Sequence, residues 1–376
     1  MEERGRGRGE AEKMETDQHL FKILQSLNRV SRDFQLSHDS PDFDSSAIKL
    51  PLELRTASSS ILAANPNLFS LSQRLSQLAD AVQELQNSKP PRHGLLSFVT
   101  RRVRSREVSR LAADAESELQ ALIDREIVYN LENTLAAMPR SGGETAAAFD
   151  EDKVFDGISA LQERLSRGFN MNLQDSLLKS GIFSQLEWVL CNPRFRIRLR
   201  EKAAISMKEL LLFNKDVFVG SVLVGGSVKA LVSMGSLCSL QVLSALIKAI
   251  KSPLVDLMEF CGGILKVVGY LSSAEAEMRV MAMECVMEIG YFGRKEAVET
   301  MINGGLIKRL VALQSSEGPF AGCVARLAVQ LEVGEGLRQR EKRAFKQLIL
   351  KRVGEACVSE AECATIVAEV LWGSSP

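Results

Sequence analysis

Histidine is almost missing from this chain. It has three, His19, His38 and His93, in 376 residues, and all lie in the first quarter. A Ser–His or Cys–His nucleophile pair built within the remaining sequence is therefore excluded. Also missing are H-E-x-x-H, G-x-x-x-x-G-K-[ST], a G-x-G-x-x-G run after a strand, and an EF-hand loop. Strand-like alternation is scarce, which removes most nucleotide-binding folds. Net charge is absent too: 47 basic residues balance 47 acidic ones, so no global field selects nucleic acid or a membrane surface, and neither is an expected partner. Aromatic residues make up only 6%, leaving Leu, Val, Ala and Met to fill the core, which suits layered helices better than sandwiches or barrels. The longest apolar run, 217–234, is interrupted by Gly220, Gly225, Gly226 and Lys229, and is too short and broken to span a bilayer.

The seven cysteines, Cys191, Cys238, Cys261, Cys285, Cys323, Cys357 and Cys363, stand singly among apolar neighbours and never as C-x-x-C. That pattern reads as small buried hydrophobes rather than metal or redox groups. No enzyme, cofactor or metal is expected. The opening MEERGRGRGE contains no apolar segment, so a secretory signal is not expected and the expected setting is cytoplasmic or nuclear.

What the chain does contain is a repeated phrase. Gly262-Gly263-Ile264-Leu265-Lys266 returns as Gly304-Gly305-Leu306-Ile307-Lys308, about 42 residues later. Three helical patterns lie between. Ile264, Leu265, Val268 and Leu271 share one helical face. Ser272 and Glu275 have capping-box spacing and are expected to start a second helix bearing Met278, Met281, Ala282, Cys285 and Ile289. Gly290 and Gly293 are expected to end that helix, and a short helix with Ala297, Met301 and Ile302 leads to the next glycine turn. Further copies start at Gly225-Gly226-Ser227-Val228-Lys229 and at Gly181-Ile182. No such unit can bury its own apolar face, but stacked neighbours can.

This pattern of a short helix, a glycine turn, a helix reading GG-x-x-x-x-L/V-V and a longer third helix resembles armadillo repeats over roughly residues 152–372. The resemblance implies an all-α chain with an N-terminal helical bundle followed by an armadillo-like right-handed α-solenoid. The expected organisation is 1–42 largely disordered with a short amphipathic helix, 43–138 a helical bundle, 139–150 a Pro/Gly-rich linker, and 151–373 the repeats. The bundle is expected to contain a helix from Leu68 to Asn87 and a long one from Leu95 with a kink or break near Ser105. AESELQALIDREI is similar to the bundle that precedes the repeats in plant U-box armadillo proteins.

Three functions follow from that resemblance. A ubiquitin ligase needs a U-box with an F-x-C-P-I-like motif, and no such segment stands between bundle and repeats, which leaves an adaptor or accessory component of ubiquitin ligation as the alternative. An importin-α-type import adaptor carries Trp and, one turn later, Asn on successive third helices. Here those positions hold Ile205 and Glu209, Ser244 and Lys248, Glu284 and Glu288, and Arg326 and Gln330, so none matches. Trp188 and Asn192 have the spacing but precede the third helix. The remaining reading is a non-enzymatic scaffold that binds a partner protein through the concave surface of the solenoid, with those eight residues as the expected binding set. A second candidate surface is the basic run Arg101, Arg102, Arg104, Arg106 and Arg110, readable as a localisation or phosphate-binding patch or as a solvated helix face. Arg194, Arg196, Arg198 and Arg200 alternate strictly and invite the same two readings.

Overall fold

The computed structural model describes residues 56, 59, 69–87, 95–138, 151–314 and 318–372. The segment 1–42 with its expected amphipathic helix, most of 43–68, and the linker expected at 139–150 lie outside the described residues. Among the described residues there are seventeen α-helices and no strand. Two compact units divide between Glu126 and Ile127, inside a helix and ahead of the expected linker.

The first unit contains α1 (Phe69–Asn87) and most of α2 (Leu95–Ala136). Leu71, Leu75, Leu78 and Val82 recur at helical spacing on α1 and meet Val108, Ala112, Ala115 and Leu119 of α2. The two alanines let the helices approach closely. Arg74 Nε lies 2.7 Å from Glu118, which also accepts a hydrogen bond from the Ser70 hydroxyl. The break expected near Ser105 does not occur, and α2 runs uninterrupted for 42 residues. It holds neither Gly nor Pro, so nothing removes a donor from the backbone ladder. Its last turns contribute Val128, Leu131 and Leu135 to the core of the second unit, which is why the division falls within a helix.

The second unit is an armadillo-like α-solenoid. After α3 (Glu151–Ser166) come four three-helix repeats. They are α4 (Met171–Ser180), α5 (Ile182–Cys191) and α6 (Ile197–Phe213), then α7 (Lys215–Val224), α8 (Ser227–Met234) and α9 (Leu237–Ile250). The third and fourth comprise α10 (Ser252–Phe260), α11 (Gly263–Tyr270) and α12 (Ala276–Phe292), then α13 (Lys295–Asn303), α14 (Leu306–Gln314) and α15 (Cys323–Val333). Helices α16 (Gln339–Ala356) and α17 (Glu360–Trp372) close the array against α14 and α15. The third helices stack as a ladder, α3 to α6 to α9 to α12 to α15 to α17.

Hydrogen bonds repeat with the fold. Gln162 Nε2 donates to Lys202 O, Asn214 Nδ2 to Gln174 Oε1, Ser227 N to Glu187 Oε1, and Ser252 Oγ to Phe292 O, each across 40 residues. Each group finds its partner one repeat away, so buried polar atoms are satisfied only when neighbours stack.

Three glycine turns adopt positive φ: Gly181 at 64°, Gly262 at 69° and Gly305 at 82°. Gly225 does not, with φ of −81°. An added Cβ there would fall 1.8 Å from Glu187 Oε1 and push that carboxylate aside. The apolar run 217–234 breaks at this point into α7 and α8, bent by 71°, and no single described helix is long and apolar enough to cross a membrane.

Two local expectations are corrected. The helix expected to start at Ser272 starts at Ala276, with Glu275 as its N-cap. Ser272 and Ser273 still belong to the turn that ends α11, their amides donating to Gly269 O and Tyr270 O. Gly290 does not end α12 but lies inside it, where the missing side chain lets Leu327 of α15 pack close.

Candidate functional site

Each third helix offers two positions one turn apart that share a face. At α9 and α12 these positions are tied together. Lys248 Nζ lies 2.5 Å from Glu284 Oε1 and 3.7 Å from Glu288 Oε1. The Ser244 hydroxyl donates to the same Glu284 oxygen over 3.3 Å. Ser244 is only 3% exposed, so it is a support for Glu284 and not an accessible binding residue as the sequence suggested. The contact between α9 and α12 covers it.

Burial raises Glu288 above the usual carboxylate range, the Glu284 charge adds to this, and Lys248 opposes it. Lys248 is held protonated beyond its ordinary value, chiefly by its hydrogen bond to Glu284. Between the two acids Cys285 is fully buried, and its thiol is pushed up to about 12 by that burial.

Between α12 and α15 lies a cleft of about 550 Å³. Glu284, Glu288, Arg326 and Gln330 line it, so the structure brings four of the eight sequence-selected residues to one place. Arg326 is exposed, with Nη1 donating to Pro319 O over 3.2 Å. Apolar groups complete the lining: Val280 and Val329 are exposed, while Met283 and Met287 are buried beneath them. Phe320 contributes from the segment before α15. Sequence reasoning missed these five and Pro319, which also lines the cleft. Val280 and Val329 were legible in principle, because each stands on a third helix one turn or less from a selected polar residue. Phe320 was not, since it lies in an irregular segment that no periodicity marks.

The α6 pair is not part of this cleft. Ile205 packs partly against the core. Glu209 is half-buried, its Oε2 has no hydrogen-bond partner among the described residues, and burial raises its pKa against the opposing charges of Lys208 and Lys202. Trp188 is occupied by an edge-on contact with Phe195 at 5.2 Å, and Asn192 Oδ1 accepts from Arg194 N.

The basic sequences are likewise dispersed. Arg198 lies 4.3 Å above the Phe155 ring, Arg200 Nε donates to Leu190 O, and Arg196 lies 3.7 Å from Glu151. On α2, Arg104, Arg106 and Arg110 are exposed, whereas the side chains of Arg101 and Arg102 lie outside the described residues. Arg106 and Arg110 stand one turn apart, whereas Arg104 lies about 160° from the first and about 120° from the second around the helix at 3.6 residues per turn, so these three do not share one face.

No protein-family model and no curated protein sequence matches this chain. Among solved structures it is similar to a designed armadillo repeat protein, with 15% identity and a TM-score of 0.44 over 65% of this chain and 99% of that one. A designed armadillo repeat protein in complex with the peptide (KR)4 gives 16% identity and a TM-score of 0.42 over 65% of this chain and 98% of that one. Computationally designed armadillo repeat proteins for modular peptide recognition give 16% identity and a TM-score of 0.45 over 67% and 99%.

Proposed function

We propose that this chain is a non-enzymatic interaction scaffold that binds a protein partner along the face formed by its third helices. The observation that carries the reading is the cleft between α12 and α15, where exposed Val280 and Val329 meet a rim of Glu284, Glu288, Arg326 and Gln330. Apolar surface ringed by polar groups of both signs is suited to anchoring a partner side chain and fixing its orientation. The charges are mixed, with Lys248 offsetting part of the acidic pair, so recognition rests on shape and individual contacts rather than on steering by one sign. A cytoplasmic or nuclear setting belongs to the same proposal, and seven unpaired cysteines are compatible with a reducing compartment.

The test is proximity labelling with the full chain against a Val280→Arg/Val329→Arg variant. Both side chains are 40% or more exposed, so the replacements fill the cleft without entering the core. Arg343→Glu, on the exposed side of α16, is the control. Partners lost from the cleft variant and kept by the control support the reading. An unchanged partner set from the cleft variant refutes it.

A further inference from the structure

A second cleft, of about 780 Å³, shares no residue with the first. It opens between the turn that follows α11 and the start of α14. Among the described residues its charged lining is wholly cationic: Arg279 from α12, and Lys308 and Arg309 from α14. Ser272, Ser273 and Asn303 add neutral hydrogen-bonding groups.

Elsewhere in the solenoid, cations meet carboxylates, as in Lys248–Glu284, Lys251–Glu335 and Arg294–Asp256. Among the described residues, none of Arg279, Lys308 and Arg309 forms an ion pair. The two guanidinium groups are instead fixed by neutral acceptors. Arg309 donates from Nη1 to Gly304 O over 2.7 Å and from Nε to Ser272 Oγ over 3.2 Å. Arg279 donates from Nη1 to Ser273 O and Ala274 O, both at 2.9 Å, while its buried Nε has no acceptor. These acceptors hold the geometry, and Arg279 also lies 5.9 Å from the centroid of the Phe320 ring, but among the described residues no carboxylate neutralises the positive charge. Three such charges around one cleft repel one another until an anion enters.

The serine hydroxyls are disposed to help. Ser272 Oγ accepts from Arg309 and Ser273 Oγ accepts from Glu275 N, which leaves the proton of each free to donate. Among the described residues no aromatic ring lines the cleft to stack a nucleobase. The three cations line one and the same cleft. We propose that this cleft binds a phosphate-type oxyanion, a pyrophosphate or phosphomonoester group, through Arg279, Lys308 and Arg309 with hydrogen bonds from Ser272 and Ser273. A free small phosphate and a phosphorylated side chain present the same chemistry.

The experiment is calorimetric titration of the full chain at low ionic strength, with inorganic pyrophosphate in one arm and a phosphoserine peptide in the other. Saturable binding is expected in at least one arm, and the arm that saturates identifies the source. Among the described residues Lys308 makes no hydrogen bond or ion pair, so Lys308→Gln is expected to leave the fold intact and to weaken binding about tenfold, as loss of one charge-assisted contact does. Arg309→Gln is expected to weaken it at least as much, and Arg343→Gln on α16 to leave it unchanged. The proposal is overturned if neither probe saturates, if Lys308→Gln binds as tightly as the parent, or if the unphosphorylated peptide binds equally well. Lys308 and Arg309, the residues varied here, do not line the third-helix cleft, so failure here leaves the scaffold reading to its own test.

Discussion

Lys248 on α9 and Glu284 on α12 face each other across two consecutive repeats at 2.5 Å, with Glu288 one turn further along at 3.7 Å. The side chains of Lys248 and Glu284 are 48% and 41% exposed, which makes this a surface pair. Lys248→Met is therefore expected to cost no more than about 1 kcal/mol at neutral pH, measured as a shift in denaturation midpoint. Without the lysine the two carboxylates are left beside each other, so the cost should shrink in high salt and as acid neutralises Glu288, whose pKa burial raises. A loss independent of both pH and salt would show that Lys248 acts through packing of its stem.

Glu187 caps a helix in the following repeat. Its Oε1 accepts from both the backbone N–H and the hydroxyl of Ser227, at 3.1 and 2.5 Å, at the start of α8. Gly225→Ala would place a Cβ on that carboxylate and displace it. Gly225→Ala and Glu187→Ala are each expected to destabilise by about 1–3 kcal/mol, the cost of leaving the buried Ser227 donors unsatisfied. The double variant should cost clearly less than the sum, because both changes remove the same cap. Additive losses by calorimetry would disprove the shared mechanism.

Glu209 gives a pH dependence. Burial raises its folded-state pKa above the ordinary carboxylate value. The folded chain then binds its proton more tightly than the unfolded chain, so this group's contribution is fully present in acid and is lost as pH rises through the folded pKa. Glu209→Gln cannot ionise and should gain stability relative to the parent as pH rises from the acid range through the raised folded-state pKa of Glu209. Thermal melts of both proteins across that range provide the check, and a gap that stays flat or closes with rising pH would contradict it.

The thiols should separate by burial. Cys285 and Cys323 are buried and pushed up to about 12 by desolvation, which leaves almost no thiolate near neutral pH. Brief native alkylation followed by mass spectrometry should label exposed Cys191 first and reach Cys285 and Cys323 only after unfolding. Early labelling of Cys285 would mean that α12 opens locally from the ladder.

Much of the repeat was determined locally and was legible for that reason. Hydrophobic spacing along Ile264–Leu271 and Met278–Ile289 marks helices because the period is a property of the chain itself. The glycines at 181, 262 and 305 mark turns because positive φ excludes most side chains wherever it occurs. The period of about 40 residues follows too, since each unit requires a neighbour to cover its apolar face.

Contacts between repeats were decided only by tertiary structure. Ser244 and Glu284 look equally polar in sequence, yet stacking of α9 on α12 buries one and leaves the other in the cleft. Ser272 reads as a helix cap, but the turn ending α11 holds its amide, and Arg309 of the next repeat takes its hydroxyl oxygen. Gly225 reads as a flexible turn residue and is in fact fixed by a carboxylate 38 positions earlier. The three cations of the second cleft come from α12 and α14. Helical period and turn chemistry act over a few residues, so the sequence by itself determined the elements and their repetition. Burial, charge pairing and clefts depend on which groups stacking brings together from about 40 residues apart, and those only the folded solenoid decided.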